Sequence, residues 1–187
     1  MGQMLFTRDT ELTLRAAGVL VNSHRVDGDQ LADLAALDDY LEVYGWTGRR
    51  DHDQAELRAV HALRDRLGRV WSLAGDEVRA VEEVNGLLAD TRAAPWLTRH
   101  PEMPEWHLHL AGTGDPLAQR MGAELAMALA DLIRAGELRR LKTCAAPDCE
   151  AVLMDLSRNR SRLFCDTGNC GNRQHVAAYR ERRARNR

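Results

Sequence analysis

Four cysteines stand at Cys144, Cys149, Cys165 and Cys170, the only four in the 187-residue chain. They form two CxxxxC pairs with fifteen residues between them. Thiolates in two such pairs can wrap opposite sides of one ion while the segment between turns back, which is how a tetrahedral Zn(Cys)₄ site is built. Four thiolates leave no position for a reacting water, so the zinc would be structural rather than catalytic. Three weaker uses of the same thiols stay open at this level. Two disulfides would suit a secreted mini-domain, a redox switch would need reversible oxidation, and an iron–sulfur cluster fits the arginine-rich surroundings less well. His175 lies five residues beyond Cys170 and could replace a cysteine, but a complete Cys₄ set places it on a helix surface.

These ligands need elements to hold them. In "EAVLMDLSRNRSRLF", Val152, Met154 and Leu156 alternate with Leu153 and Asp155. "SRNRS" reads as a turn and "RLF" as a returning strand, so a hairpin would bring Cys149 and Cys165 to one end. Helix-forming composition from about Asn172 to about Asn186 puts Cys170 just before a helix N-terminus, where backbone N–H groups and the dipole favour thiolate. Knuckle, hairpin and helix in that order are the layout of a treble-clef-like zinc finger. Val176 and Tyr179 are expected to pack on the zinc module.

Arg173, Arg180, Arg182, Arg183, Arg185 and Arg187 lie along this terminal helix, and Arg158, Arg160 and Arg162 project from the hairpin turn. Arginine reads guanine edges bidentately and clamps phosphates. The expected nucleic-acid contacts are Arg158, Arg160, Arg162, Arg173, Arg180, Arg182 and Arg183. The plainer alternative is a solvated tail, or a surface that docks on the rest of the chain.

Charge divides at the same place. Residues 1–138 hold 14 basic and 23 acidic residues, a net −9, whereas residues 139–187 hold 12 and 5, a net +7. A basic, anion-seeking end is joined to a body that avoids nucleic acid. We therefore read two domains, 1–138 and 139–187. The body is mainly helical. Helices are expected over about Asp9–Ser23 with Leu12, Ala16, Val19, Leu20 and Ser23 on one face, and from a cap at Asp29 to Tyr44 and Gly45. A third starts at an Asp51–Gln54 capping box and runs to Gly75, a fourth runs from Asp76 to about Ala89, and a fifth starts at Asp115–Pro116 and ends near Gly136. Between the last two, prolines exclude helix, and alternation at Trp106, Leu108 and Leu110 predicts a strand with that face buried. The fold class is mainly α with a small β-hairpin, α+β, plus the finger. No apolar run is long enough to span a bilayer and no signal-peptide pattern opens the chain, so a cytoplasmic protein without membrane association is expected.

Other candidates read as structural. His107 and His109 share one face of the predicted strand and could chelate a metal, but no third ligand is evident, and an outward polar face is the simpler reading. "GTGDP" at 112–116 lacks the lysine and hydroxyl of a phosphate loop and is a strand-to-helix turn. Trp46, Trp71, Trp96 and Trp106 are core or interface residues, with a small-molecule pocket as the alternative. Asn22 and Ser23 read equally as a helix C-cap or a ligand contact. The carboxylate pairs Asp38/Asp39 and Glu82/Glu83 belong to solvated helix faces, and no nucleophile, base and orienter can be assembled, so no enzyme is expected.

The segment "CAAPDCEAVLMDLSRNRSRLFCDTGNCGNRQHVAAYRERR" resembles the CGNR zinc finger family, bacterial proteins with an ABATE-type N-terminal domain regarded as stress-induced transcription regulators. The looser part of the likeness is "LRAAGVLVNS" and the run into "LRRLKTC". The resemblance implies Cys144, Cys149, Cys165 and Cys170 as zinc ligands and Gly171, Asn172 and Arg173 as signature residues. Phe164 stands where the family often has Trp, and "DTGN" replaces a commoner apolar filling. Together these readings predict a bacterial transcription regulator that binds zinc and DNA, with a small-molecule effector or a homodimer contact in the N-terminal domain. A protein-interaction adaptor or an RNA-binding protein is the alternative.

Overall fold

The computed structural model describes residues 6–25, 28–100 and 103–185; Asn186 and Arg187, counted above with the basic helix, lie outside them. Among these residues the element order is α1 (Arg8–Asn22), α2 (Leu34–Val43), α3 (Gln54–Ser72), α4 (Glu77–Asp90), β1 (Trp96–His100), β2 (Met103–His109), α5 (Leu117–Arg134), a 3₁₀ turn (Leu138–Arg140), β3 (Leu141–Thr143), β4 (Val152–Met154) and α6 (Cys170–Arg185). The α+β class expected from the sequence holds, as two small antiparallel sheets, β1–β2 and β3–β4, set against helices.

Three helices start on aspartates that accept a backbone N–H three residues on: Asp33 from Ala36, Asp53 from Glu56 and Asp76 from Arg79. Each satisfies a donor that the first helical turn leaves unpaired. Asp29 does not cap α2. Its carboxylate accepts the Leu31 N–H and pairs with Arg64 at 2.8 Å, which ties the loop to α3. The box opening α3 also sits later than Asp51–Gln54. Glu56 reaches back to the Asp51 N–H at 2.8 Å and pairs with Arg50, so the acceptor and the returning carboxylate are Asp53 and Glu56. Gly45 and Gly136, both with φ of 68°, follow α2 and α5 in the left-handed conformation that only glycine adopts without strain.

On α1 the buried stripe is Leu14, Ala17 and Val21 with Ala16 and Leu20, whereas Leu12 and Val19 are 41% and 44% exposed. The expected face was thus rotated. The small residues Ala16, Ala17 and Gly18 let α1 approach α3 closely, and a Cβ on Gly18 would stand 4.0 Å from the Trp71 ring. Leucines of α3 and α5, with Trp71, complete one continuous core.

The β1–β2 hairpin pairs Trp96 with His109, Leu97 with Leu108 and Thr98 with His107. Its facing is the reverse of the expectation at Trp106 and His107, which are 65% and 7% exposed, and Leu108 is exposed too, whereas Leu110 just beyond β2 is buried as expected. Alternation assigns residues to two faces but does not say which face turns inward. Here His107 borders a cleft of mixed aromatic and acidic lining rather than the main apolar core.

The strand pairing near the cysteines also differs. Val152–Met154 pairs with Leu141–Thr143 in the register Leu141↔Met154, and "RLF" forms no strand. The loop closed by β3–β4 is therefore 144–151, which carries the first cysteine pair. Beyond β4 the chain is organised by the fully buried Asp155. Its carboxylate accepts Lys142 Nζ at 2.5 Å, the Ser157 N–H and hydroxyl at 3.0 and 2.5 Å, and the Arg162 N–H at 3.0 Å. A loop closed on a buried carboxylate satisfies its backbone without a ladder, which is why no return strand forms.

Candidate metal centre

The two cysteine pairs converge. Cys144 and Cys149 come from the β3–β4 loop, Cys165 from the coil after the Asp155-centred turn, and Cys170 is the first residue of α6. All four Sγ atoms lie within 4.8 Å of one another, and Cys165 stands 3.7 Å from both Cys149 and Cys170. A zinc ion with 2.3 Å bonds to four sulfurs requires S···S edges of about 3.8 Å. A disulfide requires about 2.05 Å, so these distances fit a tetrathiolate and not two bridges.

The surroundings do not favour free thiolates at every position. Cys144, Cys165 and Cys170 are buried with Ala146, Ala151 and Leu153 in a small core of their own, and Phe164 packs against it. Burial pushes the Cys149 thiol up to about 12, and it raises Cys165. Cys144 shifts the other way: burial opposes ionisation there, but hydrogen bonds from the backbone, including the Cys165 N–H at 3.4 Å, lower it. Zinc must displace these thiol protons, and α6 with its positive N-terminal end meets the sulfur of Cys170. A Cβ on Gly168 would stand 3.1 Å from that sulfur, so the bare backbone at 168 lets the loop close around the site.

Arg173 locks the helix to the first knuckle. Its guanidinium donates to Asp148 at 2.7 Å and to the Cys170 sulfur at 3.1 Å. A cation against a tetrathiolate offsets part of its negative charge. Cys170 and Arg173 are the first and last residues of the CGNR segment.

The match to the ABATE family model, whose description is "Putative stress-induced transcription regulator", covers residues 14–136. The chain belongs to the ABATE family. A second model, the CGNR zinc finger, matches residues 140–183 and takes in all four cysteines. No curated protein matches the sequence. The metal of the CGNR finger is zinc, and the four cysteines placed to hold it come from two loops and the start of α6.

The ABATE body and the finger are packed together, not strung on a linker. Leu138, Leu141, Val152 and Met154 join the main core of the body. Asn22 at the end of α1 makes paired hydrogen bonds with the Val152 backbone, Trp71 Nε1 donates to the Leu153 carbonyl at 3.3 Å, and Arg25 donates to the Glu150 carbonyl at 3.2 Å. Sequence reasoning missed this seam. The available signal was Asn22 itself, a polar residue one position after the apolar Leu20–Val21 pair.

The predicted nucleic-acid residues separate into two groups. Arg160 pairs with Glu137 of the body at 3.4 Å, Arg162 pairs with Asp166 and Arg173 with Asp148, so all three are engaged within the molecule. Arg158 is exposed on the turn. Arg180, Arg182, Arg183 and Arg185 are exposed on α6 and make no ion pair with the described residues; Arg183 lies 5.9 Å from the Tyr179 ring. His175 is exposed, as expected. Val176 and Tyr179 do not pack on the zinc module, being 42% and 54% exposed, because α6 runs away from the centre with its outer turns exposed.

In the body, Trp71 is core, while Trp46 and Trp106 line a cleft of about 300 Å³ with His107, His109 and Glu124. His107 Nε2 lies 3.2 Å from His109 Nε2. Among the described residues the four cysteines are the only group of three or more metal-binding side chains, and the histidine pair gathers no third ligand from those residues. No described helix is long and apolar enough to cross a membrane.

Proposed function

We propose that this chain is a DNA-binding transcription regulator in which the zinc finger fixes α6 as a DNA-contacting helix and the ABATE body acts as a sensory or dimerising half. The observation that carries the reading is the placement of α6. It is anchored at Cys170 and Arg173, then runs exposed for its remaining length, about 20 Å, with four unpaired arginines. The acidic body does not cover it. An anchored helix presents arginines in a defined frame, so both phosphate affinity and base readout become available.

The test is selection of binding sites from a random duplex pool with the zinc-loaded full chain. A sequence motif should be enriched, and Cys170→Ser should abolish the enrichment because it frees the start of α6. Recovery of an unenriched pool by zinc-loaded protein would refute DNA readout.

One observation favours a second reading. Exposed Val176 and Tyr179 give α6 an apolar edge that a protein partner could cover. An adaptor of that kind would enrich no DNA and would lose its partner on Tyr179→Ser.

A further inference from the structure

The cleft under the β1–β2 hairpin has no part in zinc or nucleic-acid binding. It opens beside the first turns of α1 and the middle of α5, and its volume of about 300 Å³ lies at the small end of ligand sites. Its walls are of two kinds. Tyr44, Trp46 and Trp106 supply aromatic surface, with Leu97 and Met127 beside them. Asp9, Glu124 and Asp131 supply carboxylates, and no lysine or arginine is among the lining residues.

Glu124 is the unusual member. It sits mid-helix on α5, largely shielded from solvent, and no described residue gives its carboxylate a hydrogen bond or an ion pair. Arg120, one turn earlier, is directed elsewhere and donates to the carbonyls of Thr47, Arg49 and Asp115. A carboxyl placed this way usually has a partner, since a bare one costs solvation with nothing in return.

We propose that this cleft binds a small organic cation with an apolar body, its ammonium directed at Glu124 and Asp9 and its apolar part against Tyr44 and Trp46. Aromatic faces attract ammonium groups, and the attraction grows when the site is desolvated. Carboxylates without a basic residue beside them reject anions and admit cations. The proposal gives a ligand class to the sensory half of the reading above. It is tested without DNA, so its failure and a failure of DNA binding are separate results.

Charge in the cleft is set by groups on three elements: Asp9 on α1, Glu124 and Asp131 on α5 with Arg120 behind them, and His107 and His109 on β2. Burial raises Glu124 to about 7, with Asp9 adding to the rise and Arg120 opposing it. A permanently charged ligand would therefore bind more tightly as Glu124 ionises.

The experiment is calorimetric titration of the zinc-loaded full chain with benzyltrimethylammonium, whose charge does not change with pH, beside phenylacetate and benzyl alcohol of similar shape. The cation should bind at millimolar concentration or better, and both comparators should bind at least about tenfold more weakly. Its affinity should rise about tenfold from pH 6 to pH 8, as expected for a site that binds only the ionised form. Glu124→Gln should remove most of that rise, and Asp9→Asn should weaken binding several-fold while keeping a rise whose midpoint moves to lower pH. Phenylacetate binding as well as the cation, no cation binding at millimolar concentration, or an unchanged profile in Glu124→Gln would each overturn the assignment.

Discussion

Asn22 and Val152 are joined by a closed pair of hydrogen bonds, Nδ2 to the Val152 carbonyl at 2.9 Å and the Val152 N–H to Oδ1 at 2.8 Å. The side-chain amide imitates a neighbouring strand and completes β4 on the side away from β3. Because Asn22 is the last residue of α1, the helix that borders the cleft at its first turns holds the finger at its other end. Asn22→Ala leaves both Val152 groups buried and unpaired. The expected loss of folding stability is about 2–4 kcal/mol, read by denaturant titration in zinc buffer. A loss below about 0.5 kcal/mol, the size of an ordinary surface change, would contradict the role given to this pair.

Zinc removal should act unevenly. Residues 144–151 and 163–185 are held to the molecule through the sulfur centre and its small core, whereas β3 and β4 also belong to the main core and are gripped by Asn22 and Trp71. Hydrogen exchange after chelation is expected to lose protection in the loop and α6 while β3, β4 and α1–α5 keep theirs. Equal loss across the chain would contradict this division.

Lys142 and Asp155 form the polar pin of the loop between β4 and Cys165. Lys142 Nζ also donates to the Arg160 and Arg162 carbonyls at 2.6 and 3.1 Å. Burial alone would raise Asp155, but these donors outweigh it and hold the carboxyl at about 2. Lys142→Met strands a buried charge and is expected to cost about 3 kcal/mol. The Lys142→Met, Asp155→Leu pair should cost less than the sum of the single changes, and strict additivity in this double-mutant cycle would refute a direct interaction.

Glu124 makes a separate prediction about stability. Its folded-state pKa of about 7 lies above that of an unfolded glutamate, so the folded state holds the proton more tightly. Stability from this group is therefore greatest below about pH 4 and declines as pH rises to about 7. Between pH 6 and pH 8 the wild type should lose about 1 kcal/mol relative to Glu124→Gln. Parallel stability curves over that interval would contradict the raised pKa.

The metal centre was legible in the sequence because four cysteines at fixed spacing leave few ways to satisfy themselves. The helices were legible through period and caps, although Asp29 and Asp51 show how an aspartate near a helix start can serve a tertiary pair or a neighbouring turn instead. The hairpin's facing was not legible, since Trp106 and His107 alternate identically in either orientation. Nor was the partner of β4. Val152–Met154 is apolar throughout and suits any neighbour, and the choice of Leu141–Thr143 depends on a buried carboxylate thirteen residues from its lysine. The seam at Asn22 spans 130 residues of sequence, beyond the reach of any local pattern.

The central claim, that a zinc-anchored α6 binds DNA through its free arginines, is tested most directly by the salt dependence of affinity for a selected duplex. The zinc-loaded full chain is expected to give a log–log slope of about −4, from four or five phosphate contacts. The Arg180→Ala, Arg182→Ala, Arg183→Ala triple variant should flatten that slope by about 3. A slope near zero, or an unchanged slope in the triple variant, would contradict the account.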